Sequence, residues 1–143
     1  MKATLVSVDE YLHSSYDPDC DYVDGELVER NVGERDHSEL QTYVSAYYLA
    51  RRRKWGLYPF VEQRVKISPT RYRVPDICLM VGRPDNQIFT RPPLVVIEVL
   101  SPEDRKSRTQ ARIDDYLCIG VRYIWVINPK TRRVDVVTRE GSY

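Results

Sequence analysis

The sequence is poor in the residues that build disulfide frameworks and soft metal sites. Its 143 residues include three cysteines, Cys20, Cys78 and Cys118, and two histidines, His13 and His37. The cysteines are odd in number and form no CxxC pair, which argues against a disulfide scaffold and a structural zinc site. Two histidines cannot make a histidine-rich centre, so any metal must be held mainly by carboxylates. That donor set suits magnesium, manganese or calcium. Neither histidine has a convincing partner for a serine or cysteine triad. No apolar run is long enough to span a bilayer. The opening MKATLVSVDEYLHSS does not read as a signal peptide, because Asp9 and Glu10 interrupt its apolar stretch. A cytoplasmic protein without a membrane anchor is expected.

What is present is the composition of one globular domain over residues 1–143, with 42% hydrophobic and 30% charged residues. The net charge is only +1, so the molecule is not a polycation, yet its basic residues cluster. Arg51-Arg52-Arg53-Lys54 form one group, and Arg105, Lys106, Arg108 and Arg112 form another. Either group is a solvated helix face or a phosphate-contacting surface, since phosphate binding needs local rather than global charge.

Periodicity predicts an α+β (α/β-like) domain, a mixed sheet flanked by two long helices. Ser7 caps a short helix over 8–13, with Glu10 at the capping-box position. Residues 21–30 read as a hairpin around Asp24-Gly25. A long helix spans 36–54, with Asp36 as N-cap and Gly56 as stop, and Leu40, Tyr43, Val44, Tyr47 and Tyr48 facing the core. Strands follow over 58–67, with Phe60 and Val65 inward and a shift between them, then over 74–81 and 94–100. A second long helix covers 103–119, and strands over 123–127 and 134–138 flank the turn Asn128–Thr131.

Two acids stand out because they interrupt apolar strands: Asp76 in Val-Pro-Asp-Ile-Cys-Leu-Met-Val, and Glu98 in Leu-Val-Val-Ile-Glu-Val-Leu. A buried carboxylate needs a cation, a hydrogen-bond network or solvent. Each acid alone is explained by a strand edge or an arginine partner. Together, on neighbouring strands, they offer two negative charges to one divalent cation.

Pro75-Asp76 followed by Glu98-Val99-Leu100 resembles the PD-(D/E)XK nuclease superfamily. More closely, the chain resembles a bacterial family of restriction-endonuclease-like proteins (Uma-type, formerly a domain of unknown function). The likeness rests on Ser7-Val-Asp-Glu-Tyr-Leu, Tyr22-Val-Asp-Gly-Glu-Leu-Val, the helix opening at His37, and Val74-Pro-Asp-Ile. It continues through Pro93 to Pro102 and the block from Tyr116 to Pro129. The resemblance implies a restriction-endonuclease-like fold and Mg2+- or Mn2+-dependent hydrolysis of DNA phosphodiester bonds. A homodimer is expected because cutting both strands of a duplex is easier with two sites. The resemblance assigns metal ligation to Asp76, Glu98, the Val99 carbonyl and Glu26, and leaves a site role for His37 beside the simpler one of helix capping.

The chain departs from that pattern where the superfamily places lysine two residues after the second acid, because Leu100 stands there. Relatives draw a lysine from the following helix instead, and alignment on Tyr116 puts Arg112 at that position. Lys106, about one and a half turns earlier, is the second candidate. Arginine stabilises anionic charge but cannot act as a general base. Arg105, Arg108 and Arg112 share one helix face and are candidates for gripping DNA phosphates. A catalytically impaired DNA-binding or partner module is the alternative reading. The chain also ends soon after its last predicted strand, where relatives continue. Asp17, Asp19 and Asp21 mimic a calcium loop but fail it at Tyr22 and Val28. Tyr72, between Arg71 and Arg73, is a candidate for stacking on bases.

Overall fold

The computed structural model describes residues 5–30 and 33–143, so the first four residues of the opening segment lie outside it. The chain begins with α1 (Val8–Leu12), β1 (Cys20–Val23) and β2 (Glu26–Glu29), then the long helix α2 (Arg35–Trp55). Four strands follow: β3 (Leu57–Val61), β4 (Val65–Ser68), β5 (Arg71–Arg73) and β6 (Ile77–Val81). After β7 (Val95–Val99) come helix α3 (Lys106–Cys118) and the strands β8 (Tyr123–Asn128), β9 (Arg133–Thr138) and β10 (Gly141–Ser142). Among the described residues no helix is long and apolar enough to cross a membrane.

The strands divide between two sheets rather than one. A four-stranded antiparallel sheet has the order β2-β1-β5-β4, and a six-stranded mixed sheet has the order β10-β9-β8-β7-β6-β3. Among the described strand pairs only β7 and β8 run parallel, and α3 supplies the crossover that a parallel pair requires. Two stretches that read as continuous strands are each split by this arrangement. The 58–67 stretch breaks after β3; Glu62 takes a positive φ of 49°, and the chain leaves the edge of the large sheet for β4 of the small one. The 74–81 stretch begins instead with a link from β5 back to the large sheet, so Asp76 stands at the mouth of β6.

Alternation along β6 and β7 sends their side chains to two cores. Cys78, Met80 and Val96 face α3, where they meet Ile113 and Tyr116 together with Val65 and Phe89. Ile77, Leu79, Val95 and Ile97 face α2, where Leu40, Val44 and Tyr48 cover them. Tyr43 and Tyr47, expected on that inner stripe, are 63% and 47% exposed. They lie one step of about 100° around the helix from Val44 and Tyr48, beyond the reach of the sheet. Tyr47 instead packs on Tyr48 and Trp55, with the Arg51 guanidinium 3.8 Å above its ring. Tyr72 is likewise not available for bases: it is buried with Tyr11 and Tyr22 under α1.

The helix boundaries follow capping chemistry. Ser7 accepts a hydrogen bond from the Glu10 amide, as expected. Helix α2 starts earlier than predicted, with Glu34 rather than Asp36 at the cap position, and closes on Gly56 at φ 65°. Helix α3 starts later than predicted. Asp104 is tied to the Ser101 amide at 2.7 Å, and this turn holds residues 103–105 out of the helix.

Candidate active site

The register of β6 and β7 places the two acids. Ile77 pairs with Ile97 and Cys78 with Val96, antiparallel. Continuing that register by one residue sets Asp76 opposite Glu98, and residues opposed in an antiparallel pair share a face. Both carboxylates are buried and line one pocket, together with Arg30, His37, Arg108 and Arg112. The face is that of Cys78 and Val96, so α3 forms one wall.

Asp76 is held from three sides. Its Oδ2 accepts a hydrogen bond from the Val99 amide at 2.8 Å, and His37 Nε2 lies 3.3 Å from the same oxygen. Its Oδ1 accepts from Arg30 Nη2. Gln41 of α2 adds a bond to the Asp76 carbonyl at 2.8 Å, which ties the helix to this corner. Glu98 has less. Tyr116 donates its hydroxyl to Oε1 at 2.8 Å, and Arg112 Nε stands 3.7 Å away, too far for a hydrogen bond. Among the described residues, Arg112 Nε is a buried donor without a hydrogen-bond partner.

These surroundings push the two acids apart. Burial opposes ionisation of Asp76, but His37 and the Arg30 charge outweigh it and hold the carboxyl below its usual range. Burial also dominates at Glu98, the Asp76 charge adds to it, and Arg112 compensates only in part, so this carboxyl is pushed up. The His37 imidazole is raised by its interaction with Asp76. At neutral pH Asp76 is therefore firmly ionised, whereas Glu98 resists ionisation for want of positive charge.

Helix α3 carries the basic wall. Arg108 and Arg112 line the pocket, whereas Arg105 caps the helix outside the lining. Lys106 faces a different hollow, beside Leu100, Ile113 and Val137. Six residues of helix separate it from Arg112, a turn of about 600°, which leaves the two on different faces. Glu26 is exposed at the start of β2 and lines a neighbouring hollow rather than the Asp76–Glu98 pocket. Val99 lines the pocket beside Glu98.

The arginine that holds Asp76 carries no sequence signal of a site role. Arg30 was not singled out, and nothing local marks it: its partner is 46 residues away. His37 was noticed, but its position against Asp76 depends on how α2 packs on the sheet.

The donors suit a hard divalent cation. Asp76 and Glu98 face one space, which buried Asp21 also lines, and Glu98 is under-compensated. Among the described residues, no group of three or more His, Cys, Asp or Glu side chains forms a ready-made cage. A cation here would complete its shell from main-chain oxygen and water, as magnesium commonly does.

A family model, Uma2, described as a putative restriction endonuclease, matches residues 8–143. No curated protein gives a significant match. Among solved structures, a putative nuclease of the DUF820 family from Anabaena variabilis ATCC 29413 superposes with a TM-score of 0.84 at 22% identity. The superposition covers 96% of this chain and 83% of that one, which establishes a shared fold.

Proposed function

The chain belongs to the Uma2 family of putative restriction endonucleases, and from that premise we propose that it is a metal-dependent endonuclease hydrolysing DNA phosphodiester bonds. The observation that carries this reading is the placement of Asp76 opposite Glu98, on one face and in one pocket. Asp76, Glu98 and the Val99 carbonyl would hold Mg2+ or Mn2+. The cation would supply Lewis acidity, making water easier to deprotonate and offsetting charge on the phosphate.

The rest of the pocket binds and orients. Arg112, with a buried donor unused, offers an N–H to a phosphate oxygen. Arg108 adds a second positive charge at the exposed edge of the pocket. Both stay protonated, so they bind the phosphate and take no proton from it. Tyr116 fixes the Glu98 carboxylate by its hydroxyl, and the Val99 amide fixes Asp76. A dimer in the cytoplasm belongs to the same reading, since cutting both strands of a duplex is easier with two sites.

The absence of lysine among the described residues lining the pocket favours a second reading, a nuclease-fold module that binds DNA without cutting it. Purified protein incubated with plasmid and linear DNA, with Mg2+ or Mn2+, separates the two. The endonuclease reading expects cleavage that is abolished by EDTA, Asp76→Ala and Glu98→Ala. Scission that persists in both variants comes from another source and removes the assignment. Salt-sensitive DNA binding without scission at any metal concentration establishes the second reading.

A further inference from the structure

Building on the metal-ion reading above, we propose that Arg30 is the resident counter-ion of the metal site: its guanidinium holds Asp76 until a divalent cation displaces it, and so sets how tightly the site binds the cation. The bonding of Asp76 divides its two oxygens. Oδ2 is committed to the Val99 amide and faces His37, whereas Oδ1 is held by Arg30. Oδ1 is therefore the oxygen from which a metal ion must displace another cation.

Arg30 is no surface partner of Asp76. The two side chains are 15% and 5% exposed, so their attraction is little screened by solvent or salt. A lysine in this position could give up its proton to admit a metal ion, but a guanidinium cannot, so Arg30 must either move or repel.

The fold gives it somewhere to go. Arg30 follows the last residue of β2, and β2 is an outer strand of the small sheet. Swinging its side chain breaks no ladder hydrogen bond. Next to the pocket lies a wider hollow that Arg30 also lines, where Glu26, Glu29 and Glu103 present carboxylates. These acids would receive the displaced guanidinium, which gives Glu26 a role in metal loading without metal ligation.

Isothermal titration with Mn2+ tests this on the wild type, Arg30→Met and Arg30→Lys. Arg30→Met, similar in length but neutral, should bind Mn2+ at least ten-fold more tightly than the wild type, with Arg30→Lys, which can release its proton, falling between the two. In EDTA, Arg30→Met should melt below the wild type, because Asp76 Oδ1 loses its partner, and Mn2+ should raise its Tm by more than it raises the wild type's. Equal or weaker Mn2+ binding by a folded Arg30→Met overturns the inference and leaves the metal site standing. If neither protein binds Mn2+, the metal-ion reading falls and takes the inference with it. Should Arg30→Met fail to fold, the side-chain NMR signal of the Arg30 guanidinium in the wild type decides. Saturating Mg2+ should shift it, and an unmoved signal in Mg2+-loaded protein overturns displacement.

Discussion

Two buried charged clusters lie close together in this molecule, and they are built to different standards. In the first, Arg73 bridges Asp21 and Asp115, with Nη1–Oδ2 at 3.1 Å and Nε–Oδ2 at 2.7 Å. The Val74 amide takes the other Asp21 oxygen at 2.9 Å, and Arg71 takes the other Asp115 oxygen at 3.0 Å. Every carboxylate oxygen of these two aspartates has a donor. In the second cluster, Asp76 and Glu98 face Arg30 and Arg112, yet among the described residues Glu98 accepts one hydrogen bond and Arg112 Nε makes none. Both clusters bury acid and arginine, but only the first is closed. A closed network locks elements together: here it joins β1, β5 and α3. An incompletely satisfied one keeps bonding capacity for a ligand, and it costs stability until that ligand arrives.

The largest test of this contrast removes the centre of the closed network. Arg73→Met leaves two buried aspartates facing each other, and urea denaturation should show a loss of about 3–5 kcal/mol. A loss below about 1 kcal/mol would mean that the network does not lock the small sheet to α3. The open cluster should respond with the opposite sign. The Glu98 carboxyl is raised from 4.5 to about 8 in the folded protein. Between those values the folded state binds a proton that the unfolded state has released, so stability falls as pH rises through the window. Glutamine carries no such penalty. Metal-free Glu98→Gln at pH 8.5 should therefore be more stable than the wild type by on the order of 1 kcal/mol or more, while losing any nuclease activity. Equal stability of the two proteins at that pH would show that Glu98 is already satisfied without metal. The smallest effect on folding belongs to the rim. Arg108→Ala and Arg105→Ala should each change stability by less than about 0.5 kcal/mol. DNA affinity at low salt should drop several-fold more for Arg108→Ala, because only Arg108 lines the pocket. Equal losses would place the DNA track along the whole helix face.

The elements were legible where local pattern and tertiary role coincide. Alternating and apolar runs marked β6 and β7, Gly56 marked the end of α2, and Asp76 and Glu98 were conspicuous because acid in an apolar strand is costly. Other features depended on packing. Leu40, Tyr43, Val44, Tyr47 and Tyr48 spread over more of α2 than one sheet can cover, so helical spacing could not say which tyrosines stay outside. The division into two sheets turns on the break at Glu62–Arg64, where the pattern shows only a shift within one strand, and on the link at Val74–Asp76, where it shows a continuous strand. Lys106 was a fair candidate by residue type, and the late start and register of α3 turned it away from the pocket.

From sequence alone came the identity of the two acids and their need for compensating charge, because an unpaired charge inside an apolar strand is expensive wherever that strand lies. The cations that answer them emerged only on folding. Arg30 reaches Asp76 across 46 residues, and Arg112 rather than Lys106 turns toward Glu98. Coulombic pairing depends on distance in space, and that distance is set by sheet register and helix phase, which no local stretch of residues encodes.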